Sequence, residues 1–135
     1  MNKETAKIHI EKNLKPDDSL VGFFLAQKPF KIWLFLFIGP FAAFSMKTYF
    51  IAVSKKGIYF HLLNMMGKFA NNDFFEYSEI ESVKIGKGML QCPMSFKFRN
   101  GRSINIRAQL KGVDRVAKLT EETRQYIQNN IPVVS

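Results

Sequence analysis

The sequence predicts a mainly β domain. About seven antiparallel strands form a partly open barrel or two crossed sheets, with a short N-terminal helix and a closing C-terminal amphipathic helix. Three observations predict it. Short apolar or alternating runs, separated by turn residues, recur from residue 20 to residue 108. One of them, 93–108, is a hairpin whose register follows from parity. Helical stripes appear near the two chain ends. A half-open barrel leaves its core uncovered at one end, and a final helix can plug it. No internal repeat or low-complexity linker divides the 135 residues, so they read as one domain, 1–135, with an apolar insertion at 32–46.

Residues 3–13 read as a Lys/Glu-rich helix ended by Pro16, with Ala6, Ile10 and Leu14 forming a stripe that docks on the body. Asp17-Asp18-Ser19 makes a turn into a buried strand, 20–26. After the insertion come strands 48–54 and 57–63, joined at Lys55-Lys56-Gly57, where Gly57 is free to take a positive φ. A turn containing Gly67 and a strand at 73–77 follow, then the alternating strand 80–85, ended by Gly86 and Gly88.

In 93–108, Met94, Phe96 and Phe98 alternate with polar residues on one arm, as do Ile104, Ile106 and Ala108 on the other. A two-residue Asn100-Gly101 loop would pair Phe96 with Asn105 and split the apolar sets between faces. A three-residue loop pairs Phe98 with Arg102, Phe96 with Ile104 and Met94 with Ile106, with Gly101 as a left-handed bulge residue. The outward face is then Ser95, Lys97, Ser103, Asn105 and Arg107, with Arg99 at the tip. An amphipathic helix is expected over 113–128, its stripe built on Val113, Val116, Ala117, Thr120 and Ile127. The candidate core is Phe23, Leu25, Ile51, Val53, Ile58, Phe60, Val83, Ile85, Phe96 and Ile104 with the closing helix.

At 47% hydrophobic with 14 Phe, the chain can bury a core without staples. The lone Cys92 permits no intrachain disulfide, and no CxxC or Cys/His cluster supports a zinc site. One cysteine and a charged N-terminus without an apolar h-region fit a cytoplasmic location. The net charge of +9 is uneven. Residues 82–120 hold nine Lys/Arg against Asp114, giving +8, whereas 1–81 hold ten Lys and eight acids, giving +2. That stretch is either a solvated basic face or an electrostatic site for an anionic surface, contacted by Lys97, Arg99, Arg102 and Arg107.

The segments "NLKPDDSLVGFF" (13–24), "YFIAVSKKGIYF" (49–60), "FFEYSEIESVKIGKGML" (74–90) and "MSFKFRNGRSINIRA" (94–108), set between an opening and a closing helix, resemble the bacterial pleckstrin-homology-like family in its short form with an N-terminal helix. The resemblance covers roughly residues 3–130. It implies a PH-like fold and, because the family has no single activity, no particular function. Ser54-Lys55-Lys56-Gly57 departs from a Thr-Asp-Lys-Arg type turn common in that family, and the run 32–46 is a second departure.

No residues form a catalytic constellation, so the chain reads as a non-enzyme with no cofactor, metal or small-molecule substrate. His61 reads as an outward strand residue and Cys92 as a buried structural thiol. Glu76, Glu79 and Glu81 read as a solvated edge pairing with lysines, and their spacing matches no calcium loop. Gly86-Lys87-Gly88 lacks phosphate-loop spacing. Nucleic-acid binding is disfavoured: alternation puts Phe96 and Phe98 on the opposite face from Lys97 and Arg99, whereas a stacking platform needs both on one face.

The run 32–46 has 15 uncharged residues. A helix of that length spans roughly 22 Å, short of a bilayer core of about 30 Å, and Gly39-Pro40 would kink it. Three readings stay open: burial in the domain or a subunit contact, a dip into one leaflet, or a transmembrane span. For the dip, Trp33, Phe37, Phe41 and Phe44 are the apolar anchor, and Lys28, Lys31 and Lys47 flank it with ammonium groups that reach lipid phosphates. The function expected is a non-catalytic binding or adaptor domain, peripheral on the inner membrane face. The alternative is a soluble protein-interaction module with the run buried against another copy or another protein.

Overall fold

A computed structural model describes residues 2–28, 47–64, 66–111 and 117–134. Helix α1 (Lys3–Lys12) precedes strands β1 (Leu20–Lys28), β2 (Lys47–Ser54), β3 (Gly57–Leu63) and β4 (Phe69–Glu76). A 3₁₀ turn (Tyr77–Glu79) leads to β5 (Ile80–Ile85), β6 (Gln91–Phe98), β7 (Ser103–Gln109) and helix α2 (Glu121–Asn130). The strands form one open antiparallel sheet in the order β4-β3-β2-β1-β7-β6-β5. The sheet is bent over its own core. Phe60 of β3 meets the Phe96 ring of β6 at 5.6 Å, and Phe75 of β4 stacks on Phe98 at 4.2 Å.

The inner face gathers Phe24, Ile51, Val53, Ile58, Phe60, Val83, Phe96 and Ile106, closed by Leu119, Ile127 and Ile131 from the C-terminal segment. A second cluster lies on the opposite face of β1–β3, where α1 docks through the fully buried Ala6 and Ile10 onto Phe50, Ala52 and Tyr59. This two-sided cover corrects the expected core. Phe23 and Leu25 pack toward the α1 side, and Phe24 and Ala26 face inward. Both parities of β1 are apolar because both faces are covered, so its sequence carries no alternation to read.

The 93–108 hairpin has the expected register. Phe96 opposes Ile104, Met94 opposes Ile106, and the Phe98 N–H donates to the Arg102 carbonyl at 2.9 Å. Gly101 sits at φ +89°, closing a three-residue loop. Gly57 is different: its φ is not positive. It is buried against β4, and a Cβ there would collide with the Phe75 carbonyl. Glycine is needed for close strand approach, not for turn geometry.

The closing helix starts later than its periodicity suggests. Residues 112–116 lie outside the described residues, and 117–120 are not helical. The Ala117 carbonyl accepts from the Leu25 N–H at 3.0 Å, and the Leu119 N–H donates to the Gln109 carbonyl at 2.8 Å. Thr120 then caps α2, its side chain accepting from the Thr123 N–H. Backbone pairing with strands wins over the helical stripe, because Ala117 and Leu119 are buried by it either way. Beyond α2 the chain runs along β5. The Val83 N–H donates to the Pro132 carbonyl at 2.9 Å and its carbonyl accepts from the Val134 N–H at 3.0 Å, which covers that sheet edge.

Candidate functional site

The segment 29–46 leaves and rejoins the sheet at one place. Lys28 ends β1 directly opposite Lys47, which begins β2. Its anchor candidates, Trp33, Phe37, Phe41 and Phe44, lie outside the described residues. Around Lys28 and Lys47, direct pairings gather other connections. Thr48 opposes Leu63, which enters the β3–β4 turn. Gln27 opposes Arg107 on β7. The Gln27 side chain lies 3.4 Å from the Gln91 amide nitrogen, and the Leu110 N–H donates to the Leu90 carbonyl at 3.0 Å.

This end carries the most exposed large apolar side chains among the described residues: Met66 at 79%, Met89 at 78% and Leu90 at 65%. Their backbones are fixed. In the β3–β4 turn the Asn64 side chain accepts from the Met66 and Lys68 N–H groups at 2.9 and 3.0 Å, and Gly67 takes φ +76°. Before β6, the Gly86 carbonyl accepts from the Cys92 thiol at 3.1 Å and from Arg124 at 3.2 Å, and the Gly86 N–H donates to Pro93 at 2.8 Å. Residues 64–68, 86–90 and 109–111 contribute Lys68, Lys87 and Lys111 and contain no Asp or Glu. Sequence reasoning missed this set. Its signal was apolar residues placed inside Gly-containing turns, where polar residues are the norm.

The four basic residues singled out from sequence are not gathered together. Lys97 pairs with Glu81 at 3.2 Å, both side chains being solvated. At the hairpin tip the Arg99 Nε donates to the Ser78 carbonyl at 2.7 Å. Arg102 is exposed beside it. Arg107 alone, opposite Gln27, reaches the end where 29–46 departs. It pairs with Pro93 and Lys97 with Ser103, so about 13 Å of strand separates them. The acidic set divides similarly: the Glu79 carboxylate accepts from the Glu76 N–H at 2.8 Å, and Glu81 meets Lys97.

His61 corrects its expected exposure. It does point away from the inner core, but α1 covers that face, and the ring is 1% exposed. It lies edge-on to His9 at 6.0 Å and to Phe69 at 5.6 Å, and its Nε2 is buried with no hydrogen-bond partner among the described residues. Burial, then the charge of nearby His9, lowers its pKa to about 4. Cys92 is fully buried, as expected, and burial raises its pKa against the opposing pull of Arg124. The Tyr59 hydroxyl donates to Asp18 at 2.7 Å and accepts from the Lys15 N–H at 3.0 Å, tying the α1–β1 connection to β3. Burial pushes the Asp18 carboxyl up, but hydrogen bonds from Ser54, Tyr59, Ser19 and Lys56 outweigh it and leave its pKa lowered.

A groove of about 740 Å³ runs between α1, the start of β1 and the start of α2, lined by Lys3, Lys7, Asp18, Phe23 and Thr123 among others. It brings together no nucleophile with an orienting base. Among the described residues, no group of three or more His, Cys, Asp or Glu side chains is arranged to hold a metal, and no helix is long and apolar enough to cross a membrane.

No model of a known protein family matches the chain, and comparison with curated protein sequences finds no match. Among solved structures the chain is similar to the hSac2 domain from human phosphoinositide phosphatase Sac2, with a TM-score of 0.63 and 12% identity over 97% of this chain and 85% of that one. At that identity the likeness carries the fold alone: a β-rich domain with, among the described residues, seven antiparallel strands and two α-helices.

Proposed function

We propose that this chain is a non-catalytic binding domain of pleckstrin-homology-like architecture that works at an anionic membrane surface. The seven-stranded bent sheet with a C-terminal helix supports the architecture, and the likeness to the hSac2 domain is consistent with it. The observation that carries the membrane reading is the single root of the apolar run. Its 15 uncharged residues, 32–46, belong to the segment between Lys28 and Lys47, which oppose each other at the end of the sheet where Arg107 also lies. Apolar side chains between cationic residues are suited to the boundary between acyl chains and headgroups.

The test replaces Phe37 and Phe41 by Ser in the full chain and measures sedimentation with phosphatidylcholine vesicles containing phosphatidylglycerol. The variant stays folded by circular dichroism and loses vesicle binding. Unfolding of the variant monomer would make the run part of the core and end the reading. Wild-type protein that ignores vesicles but forms a dimer dispersed by the same substitutions would favour a protein-interaction module instead.

A further inference from the structure

We propose that the turn tips carrying Met66, Met89 and Leu90, with the exposed Lys68, Lys87 and Lys111 of the same end, form a second contact surface for an anionic phospholipid bilayer. The inference rests on the membrane reading above and deepens it. It assigns a contact to residues outside the apolar run and fixes which end of the sheet faces lipid.

Three observations carry it. The first is exposure: these are the three most exposed large apolar side chains among the described residues, and all belong to connections within a few residues of the Lys28–Lys47 root. Isolated exposed apolar residues are ordinary, but the three most exposed ones at one end of the sheet are not.

The second is preorganisation. The turn bearing Met66 is fixed by the Met66 and Lys68 N–H groups, which both donate to the Asn64 side chain, and by the positive φ of Gly67. The 86–90 connection is pinned at both ends, by Cys92, Pro93 and Arg124 at Gly86 and by Leu110 at Leu90. Ordering that is complete before contact costs nothing on contact.

The third is charge complementarity. Lys68, Lys87 and Lys111 are exposed, and the three connections that bear them have no carboxylate. Cations around apolar tips match a surface of lipid phosphates over an acyl layer. The opposite end differs: Lys97 is engaged with Glu81, and Arg99 with a backbone carbonyl beside Glu79. The connections share their end of the sheet with Lys28 and Lys47, the residues that bound the segment carrying the apolar run, and cationic tips of this kind favour an anionic lipid surface over a folded protein as the occupant.

The test compares two full-chain variants with a control of equal charge loss in vesicle sedimentation with added phosphatidylglycerol. The tip variant is Met66→Ser with Met89→Ser and Leu90→Ser. The charge variant is Lys68→Gln with Lys87→Gln and Lys111→Gln. The control is Lys55→Gln with Lys97→Gln and Arg102→Gln. About fivefold weaker binding per lysine gives roughly a hundredfold loss for the charge variant at low salt. The tip variant weakens binding at low and high salt alike, and the control binds within a few-fold of wild type. Wild-type binding with both variants unchanged, or with the control as weak as the charge variant, overturns this surface and leaves the membrane reading standing. Absent wild-type binding overturns both.

Discussion

Mild acid should destabilise this protein through one histidine. His61 is 1% exposed beneath α1, with Nε2 unpartnered and His9, Phe69 and Tyr59 around it. Burial, reinforced by the nearby His9, brings its pKa from 6.5 down to about 4. The unfolded chain therefore takes up a proton first as the pH falls. Stability present above pH 6.5 is lost progressively toward pH 4. One pKa unit is about 1.4 kcal/mol, so His61 removes about 2 kcal/mol between pH 7 and 5 and about 3 by pH 4. His9 is lowered too, by burial and then Lys12, and adds in the same direction. The lowered Asp18 titrates below this window. Urea unfolding followed by circular dichroism at pH 7 and pH 5 measures the loss. His61→Leu keeps the apolar contacts and removes most of the slope. A variant with the same pH slope as wild type, or a wild type equally stable at both values, would refute the argument that burial of this ring sets its titration.

Other substitutions probe separate links. Gly101→Val costs more than about 1 kcal/mol in urea unfolding, and because nothing lies within 4 Å of the added Cβ the cost is conformational; Gly101→Asn should recover part of it. Gly57→Ala costs about 2 kcal/mol or more, since the new Cβ drives β3 from β4, with the Glu76 Cα at 2.9 Å; an unchanged midpoint would mean the strands part freely. Tyr59→Phe costs about 2 kcal/mol by removing a bond to a carboxylate and stranding the Lys15 N–H. Faster amide exchange around Lys15 should accompany it.

Much of the fold was legible because its periodicities are clean. The 93–108 hairpin yielded its loop length and register from parity alone, since a one-residue slip turns Phe96 and Ile104 to opposite faces. The α1 stripe of Ala6 and Ile10 was equally direct. Legibility failed where two faces are buried at once. β1 and β3 are covered on both sides, so Phe23 and Leu25 were misplaced and His61 was read as solvated. It failed again at 117–120, where apolar spacing suits a helix but the backbone pairs with Leu25 and Gln109. Thr120 followed by Glu121 and Glu122 was the available start signal. For the site, sequence charge located a basic stretch but not its partners. Glu81 and the Ser78 carbonyl engage Lys97 and Arg99, and only tertiary pairing reveals that Met66, Met89 and Leu90 share an end with the root of the apolar run.

The membrane reading stands or falls on one equilibrium. Full-length wild-type protein is sedimented with vesicles of phosphatidylcholine alone and with added phosphatidylglycerol, at low and at high salt. Binding should be strong on the anionic vesicles at low salt. High salt should weaken it without abolishing it, because screening removes the lysine contribution and leaves the apolar one. Protein that stays in the supernatant with anionic vesicles at low salt would contradict the account.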